Sequence, residues 1–135
     1  MKSLCLFLLV LGCLTGCNRH PDRASVEGTV SFQGQLVERG TVELHPLDGT
    51  TGPMVGSVIE NGRFRIPAEK GPLVGGTYRV RILGMKKTGQ KQVNRDRSNA
   101  ASDIYVNVIP VEYNSQSKLT VVVSEDEPNR LEYAL

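Results

Sequence analysis

The chain has 135 residues, with 16 Lys and Arg against 14 Asp and Glu, a formal net charge of +2. That length suits one domain with a real core, and so even a charge balance gives no reason to expect nucleic acid as a partner. Aromatic residues are scarce at 5%, and there is no tryptophan.

Taken from the start, Lys2 is followed by an apolar run from Leu4 to Leu14 and then by small residues. A charged start, an apolar middle and a small-residue cut describe a cleaved secretory signal peptide. The run is too short to cross a bilayer, which takes roughly 20 apolar residues. Its last four residues, Leu14-Thr15-Gly16-Cys17, resemble the lipobox of bacterial lipoprotein precursors. That resemblance implies cleavage between Gly16 and Cys17, lipidation of the Cys17 thiol and acylation of the new amino terminus. A thiolate is the side-chain nucleophile best suited to alkylation near neutral pH. Two or more acyl chains hold a protein firmly on a membrane, where one holds it weakly. Cys5 and Cys13 would leave with residues 1–16, so no thiol remains for a disulfide, a zinc site or a nucleophile. Residues 17–24, carrying Pro21 and the lone His20, read as a lipidated tether, and 25–135 as the folded domain. The absence of aspartate after Cys17 leans towards the outer membrane by the sorting rule of diderm lipoproteins.

From Ser25 the apolar period becomes two. Val26, Gly28, Val30 and Phe32 fall on one face of a first strand. After Gln33-Gly34-Gln35, a second strand runs from Thr41 to His45 with Val42 and Leu44 inward, ended by Pro46. Leu47 to Pro53 is a loop, and Val55 to Glu60 a third strand. Asn61-Gly62 is a hairpin signal, because a type I′ turn needs positive φ at both central residues. Arg63 to Ile66 returns with Phe64 and Ile66 inward. A glycine-rich loop, Ala68 to Gly76, precedes a fifth strand in which Tyr78, Val80 and Ile82 alternate with Arg79 and Arg81. Lys86 to Asp103 is nearly devoid of apolar residues and is expected to be a long exposed loop. Ile104 to Val108 is a short strand or an extended approach, and Val111 to Gln116 an irregular connector. Lys118 to Ser124 forms a sixth strand, apolar enough through Val122 to be central, and Leu131, Tyr133 and Leu135 mark a last one. Short strands with turns between them, and no helical period, predict an all-β, antiparallel, seven-stranded sandwich.

Val26-Glu27-Gly28-Thr29-Val30, Gly34-Gln35-Leu36-Val37 and Gly40-Thr41-Val42-Glu43-Leu44 resemble the opening of carboxypeptidase regulatory-like and transthyretin-like domains. Gln35-Leu36 stands where a proline is common, and Arg39-Gly40-Thr41 replaces the usual Gly-Ala. Asn61-Gly62-Arg63-Phe64-Arg65-Ile66 and Gly76-Thr77-Tyr78-Arg79-Val80 are similar to the hairpin and the Gly-x-Tyr-x-Val strand of those domains. The end, Ile109-Pro110-Val111-Glu112-Tyr113-Asn114 with Ser117-Lys118-Leu119-Thr120-Val121-Val122-Val123, is similar to short lipoproteins abundant in planctomycete bacteria. The resemblance spans most of 25–135 and implies a transthyretin-like or immunoglobulin-like sandwich in the cell envelope. It implies no activity, because this fold carries many functions.

Individual residues fit that frame. Gly28 leaves room for a neighbouring backbone or an aromatic ring. Tyr78 and Tyr113 can bury a ring while the hydroxyl caps a loop carbonyl. No Ser-His-acid set, zinc motif or phosphate loop can be placed, so no enzyme and no cofactor are expected. Ser124-Glu125-Asp126-Glu127 could supply oxygen ligands to calcium, but it lacks the glycine-centred alternating spacing of a calcium loop, and a solvated acidic turn is the plainer reading. Lys86, Lys87, Lys91, Arg95 and Arg97 are candidates for contact with anionic headgroups or an acidic surface polymer, against the plainer reading of charges that solubilise a loop and protect a sheet edge. The expectation is a non-catalytic interaction or structural module, lipid-anchored in the envelope, with an envelope protein or polysaccharide as partner. The alternative is a carbohydrate-binding accessory domain, which exposed aromatic rings would favour.

Overall fold

The computed structural model describes residues 22–93, 100–126 and 128–135, and the chain is all-β. Among the described residues there are nine strands: β1 Val26–Phe32, β2 Gln35–Leu36, β3 Arg39–Pro46, β4 Val55–Glu60, β5 Arg63–Ile66, β6 Thr77–Val93, β7 Ala101–Asn107, β8 Thr120–Val122 and β9 Asn129–Ala134. They join one sheet in the order β2-β1-β5-β4-β3-β6-β7, with β8 also on β6 and β9 on β1. Every pairing is antiparallel except β1 with β9, which is parallel in the register Val26↔Asn129 to Ser31↔Ala134.

Alternation places the core. Val26 and Val30, Val42 and Leu44, Val55 and Ile59, Phe64 and Ile66, and Tyr78, Val80 and Ile82 are buried in a single cluster. Two positive-φ pairs make the tight reversals: Gln33-Gly34 between β1 and β2, and Asn61-Gly62 between β4 and β5. Gly28 has no room for a side chain. A Cβ there would lie 2.1 Å from the Leu131 carbonyl oxygen and 2.9 Å from the Phe64 ring. The absence of that carbon lets β9 lie directly against β1.

Four features differ from the sequence reading. Nine strands are present among the described residues where seven were expected: the Gln33-Gly34 reversal adds β2, and the stretch left open between strand and extended approach at Ile104 to Val108 is a strand, β7, that starts back at Ala101 in the polar span. Lys86 to Asp103 is no loop over its described part: β6 continues unbroken to Val93 and β7 returns from Ala101. Backbone hydrogen bonding suffices for a ribbon, which needs no apolar alternation when neither face packs on a core. The strand at Lys118 to Ser124 shrinks to Thr120–Val122 and lies beside β6 alone, leaving Val122 65% exposed rather than central. The last strand runs parallel to the first because the turn after Ser124 delivers it to the same end of β1. Asn129 fastens it there, its backbone N–H bonding the Ser25 carbonyl at 3.1 Å and its Oδ1 accepting from the Ser124 N–H at 2.8 Å.

Asp22 is tied to the fold by its carbonyl, which accepts from the Val74 N–H at 3.0 Å, while Ala24, the last residue assigned to the tether, is fully buried. Tyr78, fully buried at the start of β6, locks the same corner. Its hydroxyl accepts from the Leu73 N–H at 2.9 Å, where the sequence reading had it capping a carbonyl. Tyr113 packs against the core while remaining half-exposed.

Candidate interaction surface

Beyond Met85, β6 and β7 form a ribbon that contributes no buried residue to the core. From Lys86 to Val93 every β6 residue is exposed, and in β7 only Ile104 and Tyr105 are half-buried. Pairing with β3 stops at Arg39↔Met85, so beyond that point β6 has β7 as its one strand partner among the described residues. The register runs Lys87↔Tyr105 and then Lys91↔Asp103, so β6 carries a two-residue bulge. Thr88 braces it: its hydroxyl donates to the Ile104 carbonyl at 3.2 Å and accepts from the Gln90 N–H at 3.2 Å. Because two residues are inserted, Lys91 returns to the face that Lys87 occupies.

That face is the outward continuation of β6, where Arg79, Arg81, Leu83, Met85 and Lys87 alternate with the buried Tyr78, Val80 and Ile82. Arg39 joins it from β3, held against Tyr105. The guanidinium lies 5.4 Å from the ring centroid, and one nitrogen donates to the phenol oxygen at 3.3 Å. Lys87 sits 5.9 Å from the same ring and pairs with Asp103 at 2.7 Å. Asp103 holds the Lys87 ammonium above its ordinary pKa, first by that hydrogen bond and then by charge attraction. Lys87 in turn holds the Asp103 carboxyl below its ordinary value by the same two causes. Both groups are open to water, so the pair positions side chains more than it stabilises the fold. On β3, Glu43 and His45 bond each other at 2.8 Å beside Arg81 and Arg79, their cross-strand partners. Thr41 Oγ1 and Arg81 Nε are buried here without a hydrogen-bond partner.

The candidates from the sequence therefore divide. Lys86, Lys87 and Lys91 lie on the ribbon, with Lys86 on the opposite face from the other two. Gly16, Cys17, Arg95 and Arg97 lie outside the described residues, as does Glu127 of the acidic turn. Arg39, Tyr105 and Asp103 were missed, and no local pattern announces them, because a bulge sets their register and Arg39 arrives from another strand. Among the described residues there is no group of three or more His, Cys, Asp or Glu arranged to hold a metal, and no helix long and apolar enough to cross a membrane.

Two depressions mark the rest of the surface. β4 and β5 pair only at Glu60↔Arg63, and the flare between them opens a groove of about 770 Å³. Its rim mixes Glu27, Glu60 and Glu132 with Arg63, Arg65 and Arg130, so it presents no net sign. Arg130 and Glu27 pair across it at 3.2 Å. A second hollow, of about 480 Å³ beside the ribbon's base, is lined by Phe32, Leu36, Val37, Met85 and Val108 with Lys86 at its edge.

No protein-family model matches this sequence, and no characterised protein matches it significantly. Among solved structures, a 9R-lipoxygenase from Cyanothece PCC8801 shares 12% identity and a TM-score of 0.30. The match covers 84% of this chain and 16% of that one. A likeness so distant carries no argument about fold or activity.

Proposed function

We propose that the chain is a lipid-anchored cell-envelope protein of the planctomycete lipoprotein type, whose β domain is a non-catalytic interaction module. The ribbon carries this reading: exposed along almost its whole length and fringed with lysines, it extends a strand pair beyond any core it could support. A two-stranded ribbon is marginal on its own, so such an appendage makes physical sense as a surface offered to a partner. The lipobox at Leu14 to Cys17 supports the anchor. We further propose that the sheet, flared at β4 and β5, closes on its core as a transthyretin-like sandwich, with β9-β1-β5 facing β4-β3-β6. Gly28 packed under Phe64 and the Asn61-Gly62 reversal support this reading.

The described rings give the carbohydrate-binding alternative little support as a stacking site. Phe64 and Tyr78 are buried, Phe32, Tyr113 and Tyr133 are half-buried against the core, and Tyr105 is covered by Arg39. The reading is tested by fractionating cells that express the natural chain or Cys17→Ser. The natural protein is expected in the membrane fraction with an acylated Cys17 by mass spectrometry. The variant is expected to stay unprocessed or to leave the membrane. A Cys17→Ser protein recovered at mature mass in the membrane phase would overturn the anchor.

A further inference from the structure

We infer that the outward face of β3, β6 and β7 is a docking track for a linear acidic polysaccharide. The inference deepens the interaction-module reading and rests on it. Five cations, Arg39, Arg79, Arg81, Lys87 and Lys91, share this face by the register of the pairings. Between Arg79 and Lys91 the line runs about 35 Å, at roughly 3.3 Å per strand residue once the bulge is allowed for. Three carboxylates share the face, and two of them are engaged: Glu43 with His45 and Asp103 with Lys87. Glu60 lies beside Arg39 across the β3–β4 pairing. The cations therefore form a line one or two residues wide, bordered by carboxylates.

A line of spaced positive charge matches a polymer with regularly spaced negative charge better than it matches a plane of headgroups. Laid on a bilayer, the same face would press Glu43, Glu60 and Asp103 against anionic lipid. A single polyanionic chain can follow the cations and leave the acids to its sides. Tyr105, midway along the line and half-buried between Arg39 and Lys87, offers a ring edge where a sugar would pass. Where the same outward face continues over β4, β5 and β1 it lacks this character, since the groove beside β5 mixes both signs evenly.

The position of the track also suits a partner beyond the anchoring bilayer. β6 starts beside the corner where Asp22 enters and, over 17 residues, carries the ribbon about 50 Å from it. Held through Cys17, the module would offer its basic line outward.

The experiment uses the lipidated full chain in phosphatidylcholine nanodiscs, with polygalacturonate as the acidic polymer. Dextran serves as the neutral polymer, and vesicles of phosphatidylglycerol as the anionic membrane. Expected is binding to polygalacturonate that falls as salt rises, and none to dextran. Arg39→Gln with Lys91→Gln should weaken that binding about tenfold or more, each cation near an anionic surface being worth roughly a fivefold change. Arg63→Gln with Arg130→Gln, on β5 and β9 beside the mixed-sign groove and off the track, should leave it unchanged. Failure to bind polygalacturonate, tighter binding to the vesicles, or equal loss in the Arg63 and Arg130 variant would each overturn the proposal. Failure of the chain to carry lipid at Cys17 would refute the anchor instead, and the polymer measurement could still be made on the same chain in solution.

Discussion

Gly28 shows how much one missing carbon decides. A Cβ there would meet the Leu131 carbonyl oxygen at 2.1 Å, which is backbone in a paired strand and cannot swing aside. Gly28→Ala should therefore destabilise the fold by about 2–3 kcal/mol through overpacking and loosened β1–β9 pairing. Chemical denaturation checks this, and an unchanged midpoint would mean that β9 does not lie against β1 as described. The sequence showed that Gly28 needed room, and even that an aromatic ring was a candidate neighbour. It did not show the carbonyl of Leu131, because that contact joins residues at opposite ends of the chain. Asn61-Gly62 is the opposite case, a turn legible from two adjacent residues because its chemistry is entirely local.

Among the elements, the strands that pack on the core were legible and the ribbon was not. β1, β3, β4, β5 and the first half of β6 alternate apolar and polar residues because one face of each meets the cluster. Beyond Gly84 that constraint ends, and with it the period that reveals a strand. Val122 misled for a related reason. An apolar residue next to Val121 and Val123 suggests two buried faces, yet a three-residue strand on β6 leaves its outer face to water. The ribbon's independence from the core has a measurable consequence. In hydrogen exchange, the amides of Lys86–Val93 and Ala101–Val106 should exchange through local opening, at least 100-fold faster than those of Val80 and Ile82. Protection equal to that of the core strands would mean that the ribbon is held by contacts other than its own pairing.

One contribution to the whole molecule's response to alkali comes from the last strand. Burial raises the Tyr133 phenol from an ordinary value of 10.0 to about 12, because the charged form is poorly solvated beside the core. The folded chain thus holds this proton where the unfolded chain has lost it. Tyr133 therefore contributes its full stability below pH 10, and that contribution declines between about pH 10 and 12. Denaturation midpoints measured across that range should fall in the natural protein and fall less steeply in Tyr133→Phe. Equal slopes would mean that the ring is solvated as freely in the folded chain as in the unfolded one.

What the sequence determined alone was whatever rests on neighbours in the chain: the β period of the core strands, the two-residue turn and the inward faces. These depend on interactions a few residues long, which composition and spacing record directly. The tertiary structure alone decided the parallel union of β1 with β9, the bulge that returns Lys91 to the face of Lys87, and the meeting of Arg39 with Tyr105. Each depends on which strand edges find one another, and the free energy of that choice is spread over the whole sheet.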